Sequence, residues 1–130
     1  MIVADASAVL EALLQTAAAS GVEERLFAEG VPLHAPHLLD LEVAQVLRRH
    51  AAIGQIEPFR CRDALDVLRS FPLCRYSHDV LLERVWELRH NLTAYDASYV
   101  ALAEALDATL LTRDRRLAAA SGHHARIELV

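Results

Sequence analysis

The 130-residue sequence contains no lysine, and all 13 of its basic residues are arginine. That absence removes whole classes of small α/β protein. A phosphate-binding loop of the GxxxxGK[ST] type depends on its lysine, and so does the receiver-domain phosphorylation pocket. Aromatic residues make up only 5% of the chain, which together with abundant alanine points to closely packed helices. There are two cysteines, Cys61 and Cys74, without metal-ligand spacing. No charge-free run approaches the roughly 20 residues that cross a bilayer as a helix. The opening "MIVADASAVLEALL" carries no basic residue and is interrupted by Asp5 and Glu11, so it does not read as a signal peptide. A cytoplasmic protein with reduced thiols is expected.

What is present is a folding composition, with 54% hydrophobic and 24% charged residues. One domain over residues 1–130 is expected, long enough for a substantial core. The formal net charge of −5 argues at first sight against a polyanionic partner.

Short β-branched runs alternate with helical patterns along the chain. "MIVAD" reads as a buried strand and "ASAVLEALLQ" as a helix. "SGVEERLFAEG" reads as a second helix, started by Ser20 and stopped by Gly30. Strands are expected at 31–36, 73–77, 108–112 and 125–130. Helices are expected at 37–54, 57–70, 78–91 and 94–106, with a short helical turn over 113–121. This alternation implies a mostly parallel sheet with helices on both faces. Ligands of such sheets bind beyond the carboxyl ends of the strands. Asp5 closes the first strand and Asp114 lies just past the "TLLT" strand, so both fall on that edge.

Each acid has an ordinary reading of its own. Asp5 and Asp114 suit the N-caps of the helices that follow them. Glu42, near Val46 and Arg49, suits a solvated helix flank or a salt bridge. Asp40 suits a turn or a cap. Asp96 is harder to place. It lies three, four and seven residues before Tyr99, Val100 and Ala103, on the face widened by Leu102 and Leu106 that should meet the core. A capping box Thr93-x-x-Asp96 explains an acid in the first turn, although Glu or Gln is usual at that position. It does not explain an acid on the core-facing stripe. A buried carboxylate must find a partner or become neutral, and arginine or a metal ion are the available partners. Two carboxylates about 4 Å apart repel by about 4 kcal/mol at an effective dielectric of ~20. Four converging on one sheet edge call for a cation, and Mg2+ or Mn2+ prefers such all-oxygen ligation. Two such ions would bring the formal charge from −5 to about −1 and soften the objection to a nucleic-acid substrate.

At this point "MIVADASAVL", "DLEVAQVLRR" and "LTAYDASYVALAEALDATLLTRDRRLA" together resemble PIN-domain ribonucleases, in particular the VapC toxins of bacterial toxin–antitoxin pairs. The last stretch is the most specific, and the resemblance covers the whole chain. It implies a PIN-like three-layer sandwich and an Mg2+- or Mn2+-dependent endoribonuclease that hydrolyses RNA with metal-activated water and so inhibits translation. The family's acidic residues fall on Asp5, Glu42, Asp96 and Asp114, with Asp5, Asp96 and Asp114 as metal holders and Glu42 ligating or orienting the water. The family's supporting hydroxyls match Ser7 and Thr112. Arg113, Arg115 and Arg116, beside Asp114, are candidates for substrate phosphates, or else form a solvated basic helix start. The resemblance also implies a cognate VapB-type antitoxin, with the Leu/Ala-rich stretch 7–30 as its groove, and a homodimer. A PIN nuclease with a housekeeping role in RNA processing and an inert protein-binding module are the competing readings.

The remaining features read as structural. His34 and His37 flank a loop proline region and are expected at the surface, His123 and His124 in an exposed turn, and Trp86 in a helix core.

Overall fold

A computed structural model describes residues 1–16 and 19–130. Residues 17 and 18, inside the stretch expected to offer a partner groove, lie outside the described residues. The chain runs β1 (Ile2–Ala4), α1 (Ala6–Leu14), α2 (Ala19–Leu26), β2 (Leu33–Pro36), α3 (Leu38–Ala52), α4 (Pro58–Ser70), β3 (Leu73–Tyr76), α5 (Leu82–Glu87), α6 (Ala94–Leu106), β4 (Thr109–Thr112), α7 (Arg115–Ala118) and β5 (Arg126–Leu129). The sheet order is β3-β2-β1-β4-β5, and every pairing is parallel.

This order decides where a site can form. The chain leaves the central strand β1, builds β2 and β3 on one side, then returns to place β4 on the other. The reversal opens a crevice between the carboxyl ends of β1 and β4. Asp5 follows β1 directly and Asp114 follows β4 by two residues, so both border it. The sheet is flanked by two groups of helices. α1 packs against α2, α3 and α4, while α6 packs with α5 and lies against β1, β2 and β4. Sandwiched this way, Ile2, Val3 and Ala4 are all buried, as are Leu110, Leu111 and Thr112 of β4. Strands covered on both faces read as continuous apolar runs rather than alternating ones.

The local signals behave as elementary chemistry dictates. α3 stops at Gly54, whose φ of 74° is a left-handed conformation that glycine adopts without a side-chain penalty. Pro58 opens α4, where its missing N–H costs nothing.

Four expectations need correction. The helix expected over 78–91 is a 3-10 turn, Asp79–Leu81, followed by the short α5. Within it Leu81, Val85 and Leu88 take the inward positions, so Trp86 lies on the opposite face, 68% exposed and stacked on the Arg89 guanidinium. It is not core. The helix expected to run to Gly30 ends at Leu26. His34 is buried, because β2 lies between β1 and β3 in the sheet; its Nδ1 pairs with the Tyr76 hydroxyl at 2.8 Å.

Candidate active site

Asp5 and Asp114 both cap helices, and capping does not use them up. Asp5 accepts the Ala8 N–H at 3.0 Å as N-cap of α1. Asp114 accepts the Arg116 N–H at 2.8 Å as N-cap of α7. The ordinary reading of each is therefore correct and compatible with a second role, since a carboxylate has more lone pairs than a cap consumes.

Around Asp5 the strand ends form a tight polar knot. Ser7 donates to its Oδ1 at 2.6 Å and Thr112 to its Oδ2 at 2.5 Å. The same two hydroxyls accept backbone N–H groups, Ser7 from Arg113 at 2.8 Å and Thr112 from Asp114 at 2.9 Å. Thr112 is wholly buried and Asp5 nearly so. The knot fixes the carboxylate of β1 to the end of β4, and its members were legible only as "supporting" hydroxyls.

Asp96 resolves the capping-box question by half. Thr93 caps α6 by accepting the Asp96 N–H at 3.2 Å. No reciprocal bond runs from the Thr93 N–H to the Asp96 carboxylate. That carboxylate instead lines a cleft of about 430 Å³ together with Asp5, Glu42 and Asp114. The structure thus brings all four sequence-predicted acids to one cavity, at the crevice that the strand order opens. Leu10, Leu38, Leu41 and Val46 supply its apolar wall, and Gln45, Arg49, Tyr95 and Tyr99 also border it.

The electrostatics are those of an uncompensated cluster. Burial pushes the Asp5 carboxyl above the ordinary range, against the lowering effect of its hydrogen bonds to Ser7, Thr112 and backbone N–H groups. Glu42 is raised first by burial and further by the charges of Asp5 and Asp96, while its bond to Tyr99 opposes the shift. Asp96 is raised by burial, then by Asp114 and Asp5, with Arg116 and Thr93 opposing the shift. The nearest cation contact is Arg116 Nε, 3.9 Å from Asp114 on a side chain 94% exposed. Glu42 makes no salt bridge to Arg49 among the described residues. Arg113 is drawn away from the cluster by Glu11, at 3.5 Å, while Arg115 and Arg116 are exposed.

A divalent cation fits this donor set in one manner and not in another. Among the described residues, no three acidic, histidine or cysteine side chains are grouped so as to enclose an ion by themselves. Mg2+ does not need that, because it keeps several waters and is held by one or two carboxylates plus substrate oxygens. The raised carboxyls are what such an ion relieves. Water-mediated ligation by the four acids therefore fits, and a closed protein cage does not.

Sequence reasoning did not assign Tyr99. Its phenol donates to Glu42 Oε1 at 2.6 Å, and it is almost fully buried. A buried tyrosine needs a partner for its hydroxyl, so a tyrosine on the Asp96 face of an apolar helix was a usable signal. Glu11, which holds Arg113, carried no such signal.

The sequence matches the PIN domain family over residues 2–122. It is 49% identical over 129 residues to ribonuclease VapC1 of Mycobacterium tuberculosis, covering 98% of this chain and 96% of that protein. It is 50% identical over 117 residues to ribonuclease VapC9 of the same organism, covering 90% and 88%. Among solved structures, PAE2754 from Pyrobaculum aerophilum superposes with a TM-score of 0.70 at 27% identity, covering 97% of this chain and 81% of that one.

Proposed function

The chain belongs to the PIN-domain family as an endoribonuclease of the VapC type, and from that premise we propose that Asp5, Glu42, Asp96 and Asp114 form its Mg2+- or Mn2+-dependent cutting site. One observation carries the reading: four acids meet in a single cleft, and three of them are held above the ordinary carboxyl range, none of the three in a salt bridge among the described residues. Burying unpaired charge is costly, and a fold with 13 arginines has the means to avoid it.

In this reading Asp5, Asp96 and Asp114 hold the ion, directly or through water. When bound, the ion supplies Lewis acidity and positive charge at the scissile phosphate. Ser7 and Thr112 keep the Asp5 carboxylate in one orientation through their short bonds. Glu42 orients the attacking water with Oε2, its other oxygen being taken by Tyr99. Arg115 and Arg116, exposed at the rim, meet substrate phosphates, and Arg113 joins them by leaving Glu11. No side-chain nucleophile is required: water attacks phosphorus, the P–O3' bond breaks, and the ends left are a 5'-phosphate and a 3'-hydroxyl.

The whole chain acts as one domain, in the cytoplasm, as the toxin of a toxin–antitoxin pair whose RNA cleavage stops translation. Among the described residues, no helix is long and apolar enough to cross a membrane. A VapB-type antitoxin restrains it, with an arginine that neutralises the carboxylates in place of the ion. A homodimer is the working unit. Exposed Leu41 and Tyr95 at the cleft, with Leu82 beside Tyr95, support a protein partner at its rim.

The test is incubation of the free protein with total RNA and mapping of new 5'-phosphate ends. Cleavage stops in EDTA and returns with Mg2+ or Mn2+, and poorly with Ca2+, which is larger and tolerates irregular geometry. Cleavage that persists in EDTA overturns the metal-dependent reading.

A further inference from the structure

Asp96 and Tyr99 stand three residues apart on α6, one turn along the same face. The first turns its carboxylate into the cleft. The second crosses beneath it to α3 and donates to Glu42 Oε1 at 2.6 Å, a contact between residues 57 apart in sequence. A single hydroxyl therefore ties the helix that carries Asp96 to the helix that carries Glu42. Tyr99 is 2% exposed, and its ring is packed in the core cluster. Its oxygen therefore cannot swing away as an exposed side chain's could. Glu42 is only half-buried and has three side-chain torsions of its own. Without this bond nothing else among the described residues holds its carboxylate: no salt bridge and no other side-chain hydrogen bond reaches it.

We propose that Tyr99 is a positioning residue: its hydroxyl locks the Glu42 carboxylate in the one orientation that presents Oε2 to the reacting water. The proposal rests on the reading that Glu42 works in the cleft, and it adds a requirement that the reading itself does not make. A displacement of about 1 Å at a reacting group costs on the order of 100-fold. Loss of the lock, with Glu42 still present and able to revisit its place, lowers kcat about 10-fold.

The experiment is a double-mutant cycle on Tyr99→Phe and Glu42→Ala, with kcat and KM measured on one RNA substrate. Tyr99→Phe keeps the ring and its packing and removes only the oxygen. The expected result is a drop in kcat with KM little changed, and no additional loss when Tyr99→Phe is placed on Glu42→Ala. Additive losses show that the hydroxyl acts on the structure generally and overturn the proposal, as does a Tyr99→Phe variant with wild-type kcat. A second readout needs no turnover: with carbon-13 in the glutamate side chains, the Glu42 carboxyl resonance, assigned by its loss in Glu42→Ala, moves in Tyr99→Phe while the Glu104 and Glu128 resonances stay. An unmoved Glu42 resonance also overturns the lock. The two levels separate cleanly, because a Glu42→Ala enzyme with wild-type kcat sinks the role given to Glu42 itself, before Tyr99 enters.

Discussion

The two ends of α6 treat their acids in opposite ways. At the C-terminal end Glu104 receives two N–H bonds from Arg84, at 2.7 and 3.0 Å, and a third from the His124 backbone at 2.7 Å. Asp107, the C-cap, is met by Arg126 at 2.8 Å. At the N-terminal end Asp96 faces Asp5 and Asp114, with only the offsetting charge of Arg116. The helix dipole favours acids at the N-terminus and disfavours them at the C-terminus. The shifts run the other way: Glu104 is lowered, chiefly by Arg84, and Asp96 is raised by burial and neighbouring carboxylates. Burial and charged neighbours set the direction at each end. The fold places its arginines to satisfy acids where stability is the only demand, and leaves acids bare where the cleft is.

Removing charge at each end sharpens the contrast most. Asp96→Asn keeps the shape and lowers cleavage of a short RNA by about 100-fold or more, the scale of a lost catalytic group. Glu104→Gln leaves the same assay near wild type. Equal loss in both would mean that the assay reads only stability.

A second, smaller effect concerns what occupies the bare end. If an arginine-bearing antitoxin tail peptide and Mg2+ both bind the carboxylates, as proposed, then by linkage each weakens the other, by about 10-fold within the usual coupling range. Peptide affinity measured with and without saturating Mg2+ gives the answer, and an unchanged value means that the tail blocks RNA elsewhere.

Stability should divide the two ends by sign. In metal-free protein, Asp96→Asn raises Tm by a few degrees through relieved repulsion, and Glu104→Gln lowers it by a similar amount, each reflecting about 1 kcal/mol. The pH dependence has the same logic. Asp5, Glu42 and Asp96 are raised in the fold, so their cost is absent below the ordinary carboxyl range and fully present above their raised values. Glu104 and Glu128 are lowered, so their contribution holds above the ordinary range and is lost as pH falls through their depressed values. Metal-free Tm, followed by calorimetry, therefore climbs as pH drops from neutral toward the ordinary carboxyl range and falls below it. A monotonic decline from pH 7 would contradict the uncompensated cluster.

The smallest effect is Arg126→Ala. Its pair with Asp107 joins side chains 61% and 87% exposed, and such pairs contribute at most about 1 kcal/mol. Chemical denaturation should place the variant within about 0.5 kcal/mol of wild type.

Much of this arrangement was legible because the site sits at element boundaries. Asp5 and Asp114 could be placed on the functional edge once strands and helices alternated, and Asp96 was marked by its conflict with the apolar stripe. The bond from Tyr99 to Glu42 was not legible, because it joins helices whose mutual distance only the fold sets. Trp86 was misread for a simpler reason. Leu81, Val85 and Leu88 fill the inward side of the helix, which leaves a bulky aromatic at position 86 on the outer side. His34 was misplaced because proline neighbours suggested a loop, whereas burial inside a parallel sheet overrides that local signal.

The hydrogen bond from Thr112 to Asp5 spans 107 residues, nearly the length of the chain. Asp5 is synthesised well before Thr112 and Asp114. Until β4 leaves the ribosome, β1 lacks one of its two neighbours and the cleft lacks a wall, whatever helices have already formed. Contacts this far apart in sequence also close slowly. Topology alone therefore postpones the meeting of Asp5 and Asp114 until β4 has been made.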